Sequence, residues 1–405
     1  MAESSERRVR PRRAAGGLTD ELAAAAGTME EHGAVGRVAK KIRAPPGVTE
    51  DLHMEFLLRL PPELPKHLFR FAAVSKGWRR MVHSQVFLRE YHKYHAANPP
   101  MLGYLYNQRC APAAEFVAIV PACFAPRLPD DGRGLYVIDC RQGRVLFHKL
   151  GRPCTPESII VWDPVSGHQN YVSFPEEFES TGGGRWSAAV LGDADDTCVQ
   201  AISQGGSFRI VFVAMTGEGE TSAYVYRSKT SSWSAATSAE KPPTADADYI
   251  ERKAATMVAN NLFFRTSGRT IVRLQFSGEG AELSFLELPP SMAQGAVLVP
   301  APGGRILRSA AVAFQSRYVR FCDTEAGGDG PAEWTPLTSV KLAVAGFGLL
   351  GSVETTGEIL VGTGGGRGPY VFDIQSRCSR ALPKPRADTT ALTPLMGFYT
   401  PEARY

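Results

Sequence analysis

The chain has 405 residues, 43% of them apolar and 21% charged, with 40 Gly and 29 Pro. At roughly 100–200 residues per domain this predicts two or three domains with a sizeable core and excludes a wholly disordered chain. The formal net charge is +4, but it is unevenly spread. Before residue 96 there are 17 Lys/Arg against 11 Asp/Glu, whereas the remainder has 28 against 30, which argues against a nucleic-acid-binding main domain.

Residues 1–47 read as a disordered basic tail. The arginines at 7, 8, 10, 12 and 13 are followed by Ala/Gly-rich sequence and Ala44-Pro45-Pro46-Gly47, with little that could be buried. The first 20 residues have no apolar core, so no secretory signal is expected. No apolar run nears the roughly 20 residues of a membrane helix. Seven single cysteines, no two within four residues, fit no zinc knuckle or redox pair and suit reduced thiols in the cytoplasm or nucleus.

Helical spacing then begins. Leu52, Phe56 and Leu60 fall at i, i+4 and i+8, with Leu57 on the same side and Pro61-Pro62 as the stop. Leu64, Leu68, Phe71 and Val74 form a second amphipathic segment. Ser75 is placed to cap a third helix carrying Trp78, Met81 and Val82, and Ser84 a fourth carrying Phe87, Leu88 and Tyr91. Four short helices make a small core that invites a partner. Phe56 and Phe71 are expected to be internal. His92 and His95, three apart with no third ligand near, read as surface histidines.

From residue 100 the texture becomes strand and turn. A repeat runs through IIVWDPVSG (159–167), AYVYRSKTS (223–231), IVRLQFSGE (271–279), YVRFCDTEA (318–326) and YVFDIQSRC (370–378). Each is an apolar strand entering a polar turn, with a second short strand after most of them. The equivalent positions Asp163, Arg227, Gln275, Cys322 and Asp373 are 64, 48, 47 and 51 residues apart. A period near 48 predicts four-stranded, kelch-like propeller blades, about six of them and between five and seven. The Gly/Asp-rich stretch 179–206 in the long first interval reads as an inserted loop. PMLGYLY (100–106) and PLMGFY (394–399) are similar strands at the two ends of the repeat region, expected in the same or neighbouring blades.

The stretch from Asp51 to Tyr94, DLHMEFLLRLPPELPKHLFRFAAVSKGWRRMVHSQVFLREYHKY, resembles an F-box, most specifically in FLLRLPP, VSKGWRRMV and VFLREYH. The family's usual Leu-Pro at the start is Val48-Thr49 here. The segments PPMLGYLYN (99–107), VIDCRQGRVLFHK (137–149), IIVWDPVSGHQ (159–169), AYVYRSKTSSWS (223–234) and MGFYTPE (396–402) are similar to the C-terminal part of a large plant F-box family expanded in grasses. After the basic tail at 1–47, the resemblance implies an F-box at 48–95 and an F-box-associated propeller-like domain at 96–405. It further implies a non-catalytic substrate receptor of a Skp–cullin–F-box ubiquitin ligase, joined to a Skp-type adaptor and through it to cullin, with an unknown protein as target.

The adaptor contacts are expected at Leu60, Pro61, Leu64, Leu68, Val74, Lys76 and Trp78. Arg185 and Trp186, in the stretch read as a loop, are the candidate target contacts, because exposed Trp and Arg most often anchor interfaces. A scaffold outside the ligase and a propeller enzyme are the alternatives. No nucleophile elbow, phosphate loop or zinc-protease motif occurs. The glycine triplets 182–184 and 364–366 lack the lysine and helix of a phosphate site, and Asp193, Asp195 and Asp196 lack the ligand set of a calcium loop. No catalytic residue, cofactor, metal, membrane or nucleic-acid partner is expected.

Overall fold

Four helices open the described part of the chain: α1 (Glu50–Leu58), α2 (Lys66–Val74), α3 (Lys76–Val82) and α4 (Gln85–His95). The computed structural model describes residues 50–400 except 97, 120–123, 152–156, 181–184, 193–205, 216–219, 236, 241–248, 278–279, 293–294, 313–315, 329–331, 343–347 and 364–366. The basic tail, Val48-Thr49, both glycine triplets and the Asp193–Asp196 cluster therefore lie outside the described residues. Both expected caps form. Ser75 Oγ accepts from Trp78 N at 3.2 Å and Ser84 Oγ from Phe87 N at 3.2 Å, each satisfying a backbone donor that a helix start leaves free. Among the described residues no helix is long and apolar enough to cross a membrane.

The strands follow in six antiparallel sheets. The first two, β1 (Met101–Asn107) and β2 (Ala114–Ala118), are rejoined only at the end of the chain. Blade 1 is β3 (Leu135–Arg141), β4 (Arg144–Lys149), β5 (Ser158–Trp162) and β6 (Gln169–Val172). Blade 2 is β7 (Arg185–Gly192), β8 (Phe208–Met215), β9 (Glu220–Arg227) and β10 (Ser232–Trp233), with β11 (Thr237–Glu240) also on β9. Blade 3 is β12 (Thr256–Val258), β13 (Asn261–Arg265), β14 (Thr270–Ser277) and β15 (Gly280–Glu287). Blade 4 is β16 (Val297–Pro300), β17 (Ile306–Val312), β18 (Tyr318–Glu325) and β19 (Thr335–Pro336), with β20 (Val340–Lys341) beside β18. Blade 5 is β21 (Gly348–Val353), β22 (Glu358–Gly362), β23 (Tyr370–Phe372) and β24 (Ser379–Ala381). Then β25 (Thr393–Met396) pairs with β1, so blade 6 is β25-β1-β2.

This is a six-bladed β-propeller. The five repeated segments of the sequence contribute β5, β9, β14, β18 and β23, the third strand of each of blades 1 to 5. The turns that follow in blades 1 and 5 are built alike. In blade 1 Asp163 Oδ1 accepts from Val165 N at 2.9 Å and Oδ2 from Ser166 Oγ at 2.7 Å; in blade 5 Asp373 Oδ1 accepts from Gln375 N at 2.9 Å and Ser376 Oγ donates to Oδ2. The residue four after each aspartate takes the left-handed conformation, Gly167 without strain and Arg377 at φ 59°.

The core lies between blades. Side chains alternate along each strand, so one strand feeds two clefts. Ile159 and Val161 pack toward blade 2 with Trp186, Ile210 and Phe212, whereas Ile160 and Trp162 pack toward blade 6 with Leu105 and Leu395. Four further clusters repeat the arrangement around the ring. Leaving both faces apolar is what a ring of stacked sheets requires, and pairing β25 with β1 removes the two edges an open ring would expose.

Candidate docking face and axial channel

The apolar stripe of α1 faces outward. Leu57 enters the helical core beside Leu68, Ala72, Val82, Phe87, Leu88 and Tyr91, while Leu52 and Phe56 stay exposed, Phe56 by 50%. Phe56, expected inside, is thus corrected to the surface, where it meets Phe71 edge-on at 5.4 Å. Phe71 is half-buried and stacks on Trp78 at 4.9 Å, and His53 closes over Trp78 at 4.8 Å. Six of the ten large apolar side chains exposed among the described residues lie in these helices or the turn between α1 and α2: Leu52, Phe56, Leu64, Val74, Val86 and Tyr94. A patch concentrated in this way marks an interaction surface more often than scattered residues do.

Of the seven expected adaptor contacts, Pro61, Leu64, Val74 and Lys76 are exposed, Val74 by 71%, and Leu60 and Trp78 are half-buried. Leu68 is corrected: only 1% of it is exposed. Leu64 lies in the turn before α2, its N–H bonded to Pro61 O at 3.1 Å, so Leu64 and Leu68 do not share a helix face. The inward line of α2 is Leu68 and Ala72.

The helices do not stand apart from the ring. In blades 1 to 6 the inner strands β3, β7, β12, β16, β21 and β25 all run in one sense along the axis, giving an entry face where they begin and an exit face where they end. Just past β25 on the exit face, Phe398 joins the helical core. It stacks on His92 with centroids 4.5 Å apart and an interplanar angle of 18°, and Tyr399 bridges Phe69 and Phe124. Tyr91 Oη donates to Leu60 O at 2.9 Å and His95 Nε2 lies 2.8 Å from Leu58 O. The surface reading of the two histidines is corrected, since His92 is only 6% exposed and has no hydrogen-bond partner on either ring nitrogen. Burial, with His95 adding to it, lowers its pKa to about 4. A cavity of about 600 Å³ opens beside it, walled by Leu102, Val165, Leu395 and Phe398.

The stretch read as an inserted loop is also corrected. Residues 185–192 are the inner strand β7 and Trp186 is 2% exposed, so its ring is taken by the core rather than offered to a partner. Residues 193–205 lie outside the described ones. Arg185 does reach the entry face, its guanidinium 4.5 Å over the exposed ring of Tyr249. Behind it Arg252 lies 4.8 Å over Trp186. Buried His148 is held between Arg252 at 3.4 Å and Glu157 at 3.1 Å. Desolvation lowers its pKa first and Arg252 lowers it further, with Glu157 opposing both.

The axial channel, about 390 Å³, is lined by the inner strands. Arg141, at the end of β3, crosses it. Its guanidinium donates to Asp139 on its own strand at 2.5 Å, to Glu354 beyond β21 at 2.7 Å and to Ala255 O before β12. One side chain thus ties blades 1, 3 and 5 together. Asp139 is wholly buried, accepts from Val190 N at 3.0 Å and has no partner for Oδ1. Burial outweighs Arg141 and raises its pKa to about 6, while the two carboxylates push Arg141 up against its own desolvation. Both directions hold because the uncompensated desolvation falls on the carboxylate. Nothing in the sequence pairs Asp139 and Arg141 with residues more than a hundred positions away. Among the described residues no three His, Cys, Asp or Glu side chains gather to hold a metal ion.

No protein-family model matches the chain, and no curated protein matches it. Among solved structures it is similar to the SapL1 lectin in complex with alpha methyl fucoside, at 12% identity and a TM-score of 0.41, over 72% of this chain and 99% of that one. It is likewise similar to TolB from Acinetobacter baumannii, at 12% identity and 0.40, over 77% and 72% of the two chains. A third is the periplasmic gluconolactonase PpgL of Pseudomonas aeruginosa, at 11% and 0.39, over 75% and all of that chain.

Proposed function

We propose that this chain is a non-catalytic substrate receptor of a Skp–cullin–F-box ubiquitin ligase, acting in the cytoplasm or nucleus. Helices α1–α4 are the F-box of a plant-type family member, with a kelch-like ring behind them, the latter on repeat length. The observation that carries the reading is the outward apolar face of the helices. Leu52, Phe56, Leu64 and Val74 stay exposed among the described residues, and a Skp-type adaptor would bury them. A propeller behind this face offers rigidly held loops for a target. A scaffold role outside the ligase would need the same face for another partner.

The test is co-purification of the full chain with a Skp-type adaptor, comparing the natural chain with Leu64→Asp and Val74→Asp. Both positions are exposed, so the helices should fold unchanged. A carboxylate buried at the interface costs several kcal/mol, enough to abolish a micromolar complex. Adaptor retained by both variants, or never captured, would remove the ligase reading and favour the scaffold.

A further inference from the structure

We infer that the entry-face rim of blades 4 to 6 is a docking surface for an acidic polypeptide segment. This rests on the receptor reading only in making that segment part of the target. The described residues of the loops on that rim are 316–317, 337–342, 363, 367–369, 382–392 and 108–113. They carry six cations, Arg317, Lys341, Arg367, Lys384, Arg386 and Arg109, against one carboxylate, Asp388. All six are exposed, and none has an ion-pair partner among the described residues. Glu115, the nearest strand acid, is engaged by Tyr106 and Gln108.

On the same face of blades 1 to 3, Lys149, Lys253 and Arg269 each meet a carboxylate, at 3.0, 3.0 and 3.8 Å, and Arg185 and Arg252 lie over the rings of Tyr249 and Trp186. On the opposite face of blades 4 and 5 the acids Glu325, Glu333, Glu354, Glu358 and Asp373 collect instead. Since residues 96–405 carry slightly more acids than bases, the rim is a segregated charge rather than part of a general basicity.

The rim is also held in place. Tyr104 Oη donates to Pro383 O, Arg386 N donates to Tyr106 Oη at 3.0 Å, and Arg109 N donates to Asp388 O at 3.2 Å. Gly368 packs closely on the backbone of the neighbouring loop: a Cβ there would lie 2.6 Å from Leu382 O and 3.3 Å from Lys384 N. Pro383 and Pro385 stiffen the loop on either side of Lys384. Four of the six cations are arginines, whose planar forks match carboxylates two bonds at a time. Single-stranded nucleic acid needs stacking aromatics between cations, and among the described residues Tyr318 is the one large aromatic exposed there.

The experiment is fluorescence anisotropy on the full chain with a labelled peptide of about a dozen residues alternating Glu and Ser. A Gln/Ser twin and a short duplex DNA serve as comparisons. The Glu peptide should bind, more weakly as salt rises, and the twin should not. Arg367→Glu with Arg386→Glu should weaken binding by about tenfold or more. Arg109→Gln with Arg317→Gln should weaken it in the same direction, which guards against misfolding of one loop. Lys149→Glu, on the paired side, should leave it unchanged. Equal binding of the Glu and Gln peptides, unaffected rim variants, or duplex DNA bound more tightly than the Glu peptide would overturn the inference. Adaptor co-purification with the rim variants separates the two readings: its loss in the natural chain removes the ligase role, while failure of peptide binding with adaptor retained removes only the rim.

Discussion

Arg141→Met should destabilise the protein in a way that depends on pH. In the natural chain burial raises Asp139 to about 6, above its ordinary 3.8, with Arg141 opposing. A folded-state value above the unfolded one means that stability is fullest at low pH and falls as pH rises through 6. Near pH 5 the carboxyl is already protonated, so the substitution removes the hydrogen bonds to Glu354 and Ala255, about 1 kcal/mol each. Near pH 8 the natural carboxylate is charged against Arg141, whereas in the variant the fold must hold a proton on it. Two pH units then add roughly 3 kcal/mol. The loss should therefore grow from about 2 to about 5 kcal/mol, the size seen when one partner of a buried pair is removed. Urea unfolding followed by tryptophan fluorescence at the two pH values measures it. A penalty that is the same at both would refute the assignment of the burial cost to Asp139, as would failure of Asp139→Asn to recover stability in the double variant near pH 8.

Phe398→Ala should uncover His92 and let its pKa climb from about 4 toward 6.5, which an NMR titration of the imidazole reads directly. Because the natural value lies below the unfolded one, stability is lost as pH falls from about 6.5 to about 4; that acid sensitivity should shrink in the variant while overall stability drops by about 3 kcal/mol. Ending the chain after Leu392 removes β25, leaves β1 as an open edge and opens the cleft around Leu395. The product should be insoluble or unfold without a sharp transition, as followed by light scattering and circular dichroism.

The third strands were legible because each combines a short apolar run with a turn that must reverse the chain at once, and Asp163 and Asp373 do this with the same side-chain hydrogen bonds. The helix starts were legible through Ser75 and Ser84, whose chemistry is local. Trp186 was misread because β7 is buried on both faces and so shows no alternation, while its Gly/Asp-rich surroundings look like loop. On α1 the stripe was found but its direction was not. Spacing reports that Leu52 and Phe56 share a face, and only the neighbours decide whether that face turns inward. His92 was missed because its cover, Phe398, comes more than 300 residues later.

The join between β1 and β25 also sets a timetable. Met101 pairs with Met396, so the first strands made wait, through the synthesis of five complete blades, for their innermost neighbour. Contacts of such long separation form slowly. Until residues 393–399 leave the ribosome, blade 6 lacks one wall and α4 has no Phe398 to rest against. Helix docking and ring closure are thus completed by the same short segment, within a few amino acids of each other. A chain stalled anywhere before it would carry intact helices above an open ring, and quality control would meet a β-sheet edge rather than a finished surface.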